Sequence, residues 1–163
     1  MKSMKLFEAL ALKKALQNQL AQLISLRNST FEYSEDEKPE FDFQELTSRI
    51  KEKVKEITGL KLAVMRANMN SNLPNGYTLY EAIIELANIR SAIDQLQDLL
   101  QIGRRGFLLS ERRRSTSEIK TIKQAAPEKI LKMIEEYDTK RRLLDAMIQE
   151  ANHTTEINWP PRD

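Results

Sequence analysis

The sequence predicts an all-α protein: four long amphipathic helices in an antiparallel helical bundle with coiled-coil-like packing. Three observations carry this. Apolar residues recur at helical spacing in four separate segments. Gly (4) and Pro (5) are scarce in 163 residues, and β-branched residues do not gather in alternating runs. Charged or turn-forming stretches separate the segments, and two segments open on capping signals. The length fits one domain spanning 1–163.

The first helix is expected at about 4–27. Leu6, Ala9, Leu12, Leu16, Leu20, Leu23, Ile24 and Leu26 fall in an arc of roughly 160°, wider than the stripe of roughly 100° that faces a single core. An acidic connector, 32–42, follows, with Glu32, Glu35, Asp36, Glu37, Glu40 and Asp42 against Lys38 alone. Pro39 stops the helix there. The second helix, about 43–69, opens on Asp42 as N-cap, with Glu45 three residues on and Phe41 and Leu46 placed for a hydrophobic staple. Its stripe reads Phe43, Leu46, Ile50, Val54, Ile57, Leu60 and Val64, with Lys51, Glu52 and Lys55 solvated. Gly59 weakens this helix without ending it.

Pro74-Asn75-Gly76 marks a turn. The nearby Asn68, Asn70, Asn72 and Asn75 fit capping and turn formation better than a binding site. Thr78-Leu79-Tyr80-Glu81 reads as a capping box opening the third helix, about 79–103. Leu79, Ala82, Ile83, Leu86, Ile89, Ile93 and Leu100 form its front. Ile84, Ala87, Leu99 and Ile102 lie at its sides and back, so it is apolar nearly all round, the pattern of a helix buried on more than one side. The third helix should therefore be the most buried in an assembled particle and the second the least, with Ile84, Leu99 and Ile102 as oligomer contacts.

A basic connector, 103–117, carries Arg104, Arg105, Arg112, Arg113 and Arg114. A short extended pair near Ser117 to Ile122 is the one place where sheet is expected. Pro127 opens the fourth helix, about 127–152. Ile130, Ile134, Tyr137, Arg141, Leu144, Ile148 and Ala151 make a heptad seam. Arg141 is its one polar member, and either sets register or snorkels outward, the reading the pattern favours. The tail through Trp159-Pro160-Pro161 is not helical.

The composition excludes several functions. With no Cys there is no disulfide, thiolate metal site or Cys nucleophile. Net charge is only +2, so no acidic partner is demanded. No apolar run is long enough to span a membrane. The opening Met1-Lys2-Ser3-Met4-Lys5 mimics a signal peptide, but Glu8, Lys13 and Lys14 break any apolar region. A cytoplasmic location is expected. Asn28-Ser29-Thr30 and Asn152-His153-Thr154 match the glycosylation acceptor by chance.

No catalytic, cofactor-binding or metal residue is assigned. Glu150-Ala151-Asn152-His153 has the spacing of a di-metal ligand pair, but both side chains face roughly 140–200° away from the Ile148 seam. No phosphate-binding loop or nucleophile elbow is present. The Arg-rich connector beside Phe107 suggests weak nucleic-acid binding, in no recognised module. Antiparallel topology would bring the two connectors to one end. The interaction candidates are therefore Glu35, Asp36 and Glu37 against Arg104, Arg105, Arg112, Arg113 and Arg114, the alternative being two independently solvated loops.

Four stretches in order also carry a resemblance. They are Lys5-Leu6-Phe7-Glu8-Ala9-Leu10, Asn75-Gly76-Tyr77-Thr78-Leu79-Tyr80-Glu81-Ala82, Ser117-Glu118-Ile119-Lys120 and Leu144-Asp145-Ala146-Met147-Ile148-Gln149-Glu150-Ala151-Asn152. Together they resemble a family of short bacterial helical proteins, many labelled septicolysin, over roughly residues 4–157. The family has a Trp after the final Asn; here that position is His153, with Trp159 further on. The label implies a pore-forming haemolysin. The residues argue against a thiol-activated cytolysin: no Cys, one Trp and too little chain for a β-barrel pore. The helices also carry charge of both signs and few aromatics, unlike membrane-surface helices. The resemblance supplies no catalytic residue or cofactor. The expected function is a structural or protein-interaction bundle forming a homo-oligomer, at least a dimer. The alternatives are a septicolysin-like membrane-active protein and a weak nucleic-acid binder. Neither membrane nor nucleic acid is expected as the partner.

Overall fold

The computed structural model describes residues 2–36, 41–112 and 124–159; for residues 2 and 103–112 it describes the backbone alone. The protein is mostly helical, with antiparallel packed helix pairs and a small sheet joining its ends. The elements run β1 (Lys2–Lys5), α1 (Leu6–Ser29), α2 (Phe43–Asn70), α3 (Leu79–Arg112), α4 (Pro127–Thr154) and β2 (Glu156–Trp159). They divide into two compact units. One comprises residues 1–80 and 149–163, the other residues 81–148.

In the first unit α1 packs on α2, and the sheet lies against both. Glu8 starts α1 by accepting the Lys5 backbone N–H at 2.7 Å. Asp42 caps α2 as expected, accepting the Glu45 N–H at 2.8 Å. The α2 core stripe is Leu46, Ile50, Ile57, Leu60 and Val64. Phe43 and Val54, expected in that stripe, are exposed. They sit at the edge of an arc centred near Leu46 and Val64, where one helix neighbour no longer reaches. On α1 only Leu6, Ala9 and Leu16 are buried. Leu12, Leu20, Leu23, Ile24 and Leu26 are half-buried, so the wide arc is only partly covered.

The turn before α3 is built as its residues suggest. Gly76 adopts φ +87°, which disfavours any side chain. The Tyr77 N–H donates to Asn75 Oδ1 at 3.2 Å. Asn72 bridges Thr78, and Leu73 is buried beneath. Asn68 departs from the expected role: it lies inside α2, and its Oδ1 is buried without a hydrogen-bond partner among the described residues.

The sheet corrects two expectations. Residues 2–5 form β1, so α1 begins at Leu6 and not at about residue 4. The tail forms β2, antiparallel to β1, with Lys2 opposite Trp159 and Lys5 opposite Glu156. Non-local pairing won here over the weak helical pattern at the chain start. Residues 117–122, where sheet was expected, lie outside the described residues. Ile157 and Trp159 alternate inward. A Cβ added to Gly59 would come within 2.7 Å of the Trp159 ring. The mid-helix glycine thus lets the indole lie directly on the α2 backbone.

A charged clasp closes the sheet. Lys5 Nζ donates to Glu156 Oε1 at 2.7 Å and Ser3 Oγ to Glu156 Oε2 at 2.9 Å. The Lys5 bond, then the Ser3 bond, hold the Glu156 carboxyl below the usual range. A carboxyl depressed by folding contributes stability above its unfolded value, about 4.3, and loses it as pH falls through the lower folded value. Acid titration followed by Trp159 fluorescence should show a loosening of the strand end below that range. Glu156→Gln should remove this step; an unchanged titration would contradict the clasp.

In the second unit α3 buries Ala82, Leu86, Ile89 and Ile93. Arg90 on α3 meets Asp145 on α4 at 3.5 Å. The α4 heptad holds: Leu144 and Ile148 are buried, Ile130, Ile134 and Tyr137 half-buried. Ala151, the last seam position, is buried in the first unit. Arg141 does snorkel. Its Nε donates to Asp138 on its own helix at 2.8 Å, and this bond, with that from Arg142, lowers the Asp138 carboxyl. The third helix runs to Arg112, not to about residue 103. Gly103 and Gly106 cost about 1 kcal/mol each in a helix, but strong helix formers between and after them carry it on.

Candidate interaction faces

The interaction candidates named from sequence are only partly visible. Glu35 and Asp36 are exposed in a turn after α1. Glu37, Arg113 and Arg114 lie outside the described residues. Arg104, Arg105 and Arg112 belong to the backbone of α3 and not to a loop, and their side chains lie outside the described residues.

The oligomer-contact candidates are clearer. Ile84, Leu99 and Ile102 are 46%, 52% and 65% exposed. Ile84 and Ile102 fall on one line along α3, roughly 180° from the buried Ile93. Helix α3 therefore carries exposed apolar residues at both ends of the side opposite its core stripe, with Asn88, Ser91, Gln95 and Asp98 between them. The predicted burial rank concerns an assembly. Within the chain, α2 buries a stripe as full as that of α3.

Two features were missed in the sequence. Phe31 and Phe43 approach to 6.0 Å between ring centres, with the Arg27 guanidinium 5.8 Å from the Phe43 ring. Both rings are exposed. The signal was present: two aromatics flank the acidic connector. Second, Val54, Leu62, Met65 and Met69 form an exposed apolar line on α2. Helical periodicity singles out only Val54 among them, and assigns it to the core.

A cleft of about 530 Å³ runs between α1 and α2, with Leu23 and Leu26 on one side and Arg49, Glu52, Lys53 and Glu56 on the other. Lys53 and Glu56 bind each other at 2.7 Å, so this cleft presents little net charge. Among the described residues no group of three or more His, Asp or Glu side chains is placed to hold a metal. Glu150 and His153 are both exposed. His153 instead packs against Phe7, at 4.6 Å between ring centres with the rings tilted by 43°.

Paired antiparallel helices closed by a terminal sheet, with apolar faces left outward, define a small helical protein whose distinctive chemistry lies on its helix surfaces. Residues 13–157 match DUF6847, a family of unknown function, and the chain belongs to that family. It is also similar to a functionally unknown conserved protein from Corynebacterium diphtheriae. The two are 25% identical with a TM-score of 0.78, over 96% of this chain and 100% of the other. No curated protein matches the chain.

Proposed function

We propose that the protein is a helical interaction module that works as a homo-oligomer, at least a dimer. The observation that carries this is the exposure of Ile84, Leu99 and Ile102 on the side of α3 away from its fully formed core stripe. Apolar surface taken from water gains about 25 cal/mol per Å², so such exposure favours a partner. A second copy is the economical choice, because symmetric self-association is the commonest assembly of soluble chains. The reading assigns binding and no catalytic step.

Light scattering or sedimentation at micromolar concentration tests it. The expected mass is at least twice that of the 18.9 kDa chain. A monomer across the micromolar range overturns the reading. The membrane-active reading implied by the septicolysin resemblance has a narrower base: no helix among the described residues is long and apolar enough to cross a membrane. Dye release from liposomes would favour it over self-association.

A further inference from the structure

Two outer helix faces carry opposite charge that no ion pair among the described residues engages. On α2, Val54, Leu62, Met65 and Met69 lie within an arc of roughly 80° and are 43–53% exposed. Lys51, Lys55, Lys61 and Arg66 flank and interleave this line, and all are exposed. None of the four makes an ion pair or side-chain hydrogen bond among the described residues. The acids Glu52 and Glu56 lie beyond this sector, lining the α1–α2 cleft.

Helix α3 shows the reverse. Its outer face carries Ile84 at one end and Leu99 and Ile102 at the other, with the polar Asn88, Ser91, Gln95 and Asp98 between them and Glu85 and Asp94 at the rim. Those three carboxylates have no ion pair among the described residues either. From residue 80 to 102 the sequence holds one cation, Arg90. It lies roughly 120° round the helix from Ile84 and is held by Asp145.

The two faces also match in length and in polarity. Val54 to Met69 spans about 22 Å and Ile84 to Ile102 about 27 Å, at 1.5 Å per residue. Some of the polar side chains along the lines bond within their own helices. Thr58 Oγ1 donates to the Val54 carbonyl at 2.8 Å, and Gln95 Nε2 to Ser91 Oγ at 3.1 Å.

We infer that the α2 face of one copy docks on the α3 face of a second copy, the lysines of α2 meeting the carboxylates of α3 around an apolar seam. This rests on the self-association proposed above and names its surface. A basic apolar face alone would equally fit an anionic membrane; the complementary acidic face on the same chain is what points to a second copy.

The test is a charge swap. One variant carries Lys51→Glu, Lys55→Glu and Lys61→Glu; the other carries Asp94→Lys and Asp98→Lys. Each alone sets like charge against like, and each should weaken self-association at least about tenfold. An equimolar mixture of the two should restore assembly, because acidic α2 then faces basic α3 and the reverse. Wild-type assembly should also weaken between 0.1 and 1 M salt, as the screening length falls from about 10 to about 3 Å. This readout stands even if a variant fails to fold. A monomeric wild type overturns the oligomer and this contact together. A wild type that assembles but ignores the reversals, the mixture and salt overturns this contact alone. Binding to phosphatidylserine vesicles that is lost in the Lys→Glu variant, while self-association is unchanged, also overturns it and assigns the α2 face to lipid.

Discussion

Replacing Leu60 with alanine is expected to cost roughly 2–5 kcal/mol, the range for emptying a buried leucine site. Leu60 is fully buried near the middle of α2, the helix that packs on α1 and on the terminal sheet. Small proteins hold only about 5–15 kcal/mol in total. The loss should lower the thermal midpoint by roughly 5–15 °C at this chain size. Urea unfolding followed by circular dichroism measures it. Leu131, on α4, is the control: it is exposed, so Leu131→Ala should stay within about 0.5 kcal/mol. Equal losses at the two positions would mean that the α1–α2 core is not placed as described.

The second large effect is expected at Gly59. Leucine there has no room beneath the Trp159 ring, which already lies 2.7 Å from where a Cβ would stand. The indole must leave α2, and β2 loses its packing on the helix. Overpacking of this kind typically costs about 1–3 kcal/mol. Trp159 is the sole Trp, so its emission reports eviction directly and should shift to the red. Gly59→Ala should do far less to stability. The far end of the ring can swing aside, and alanine returns about 1 kcal/mol of helix propensity. That gain should appear cleanly in Gly59→Ala combined with Trp159→Ala, where nothing is left to clash. Unchanged Trp emission in Gly59→Leu would contradict the contact.

The helices were legible because their signals are local. Asp42, Glu45 and Pro127 lie within a few residues of the ends they set, and the centres of the α2 and α3 core stripes follow from period, while Phe43, Val54 and Ile83 at their edges are exposed. The sheet was not legible. Lys2–Lys5 has no alternation to mark a strand, and its partner is the far end of the chain. Gly59 and Trp159 each stood out singly, as a glycine inside a helix and a lone Trp in a tail. Nothing in a linear reading joins them. The outward apolar positions of α3 were legible because its apolar residues exceed one stripe. Those of α2 were obscured because Val54 borders the core arc, where burial depends on the neighbour's position and not on spacing. The charged connectors were conspicuous in composition, but the Arg-rich one proved partly helical, because arginine, leucine and glutamate favour helix wherever glycine permits it.

The pairing of β1 with β2 bears on how the protein is made. Lys5 and Glu156, which clasp each other, stand 151 residues apart. The second unit is inserted in sequence between the two pieces of the first. On a ribosome the N-terminal strand therefore emerges long before its partner. At about 5–20 residues per second the wait is roughly 8–30 s. Through that interval α1 and α2 can pair, but Gly59 remains bare and β1 has no mate. Newly made chains thus pass through a stage in which the first unit lacks its closing strand, and chains stalled before residue 156 hold an open strand edge that can pair with another chain.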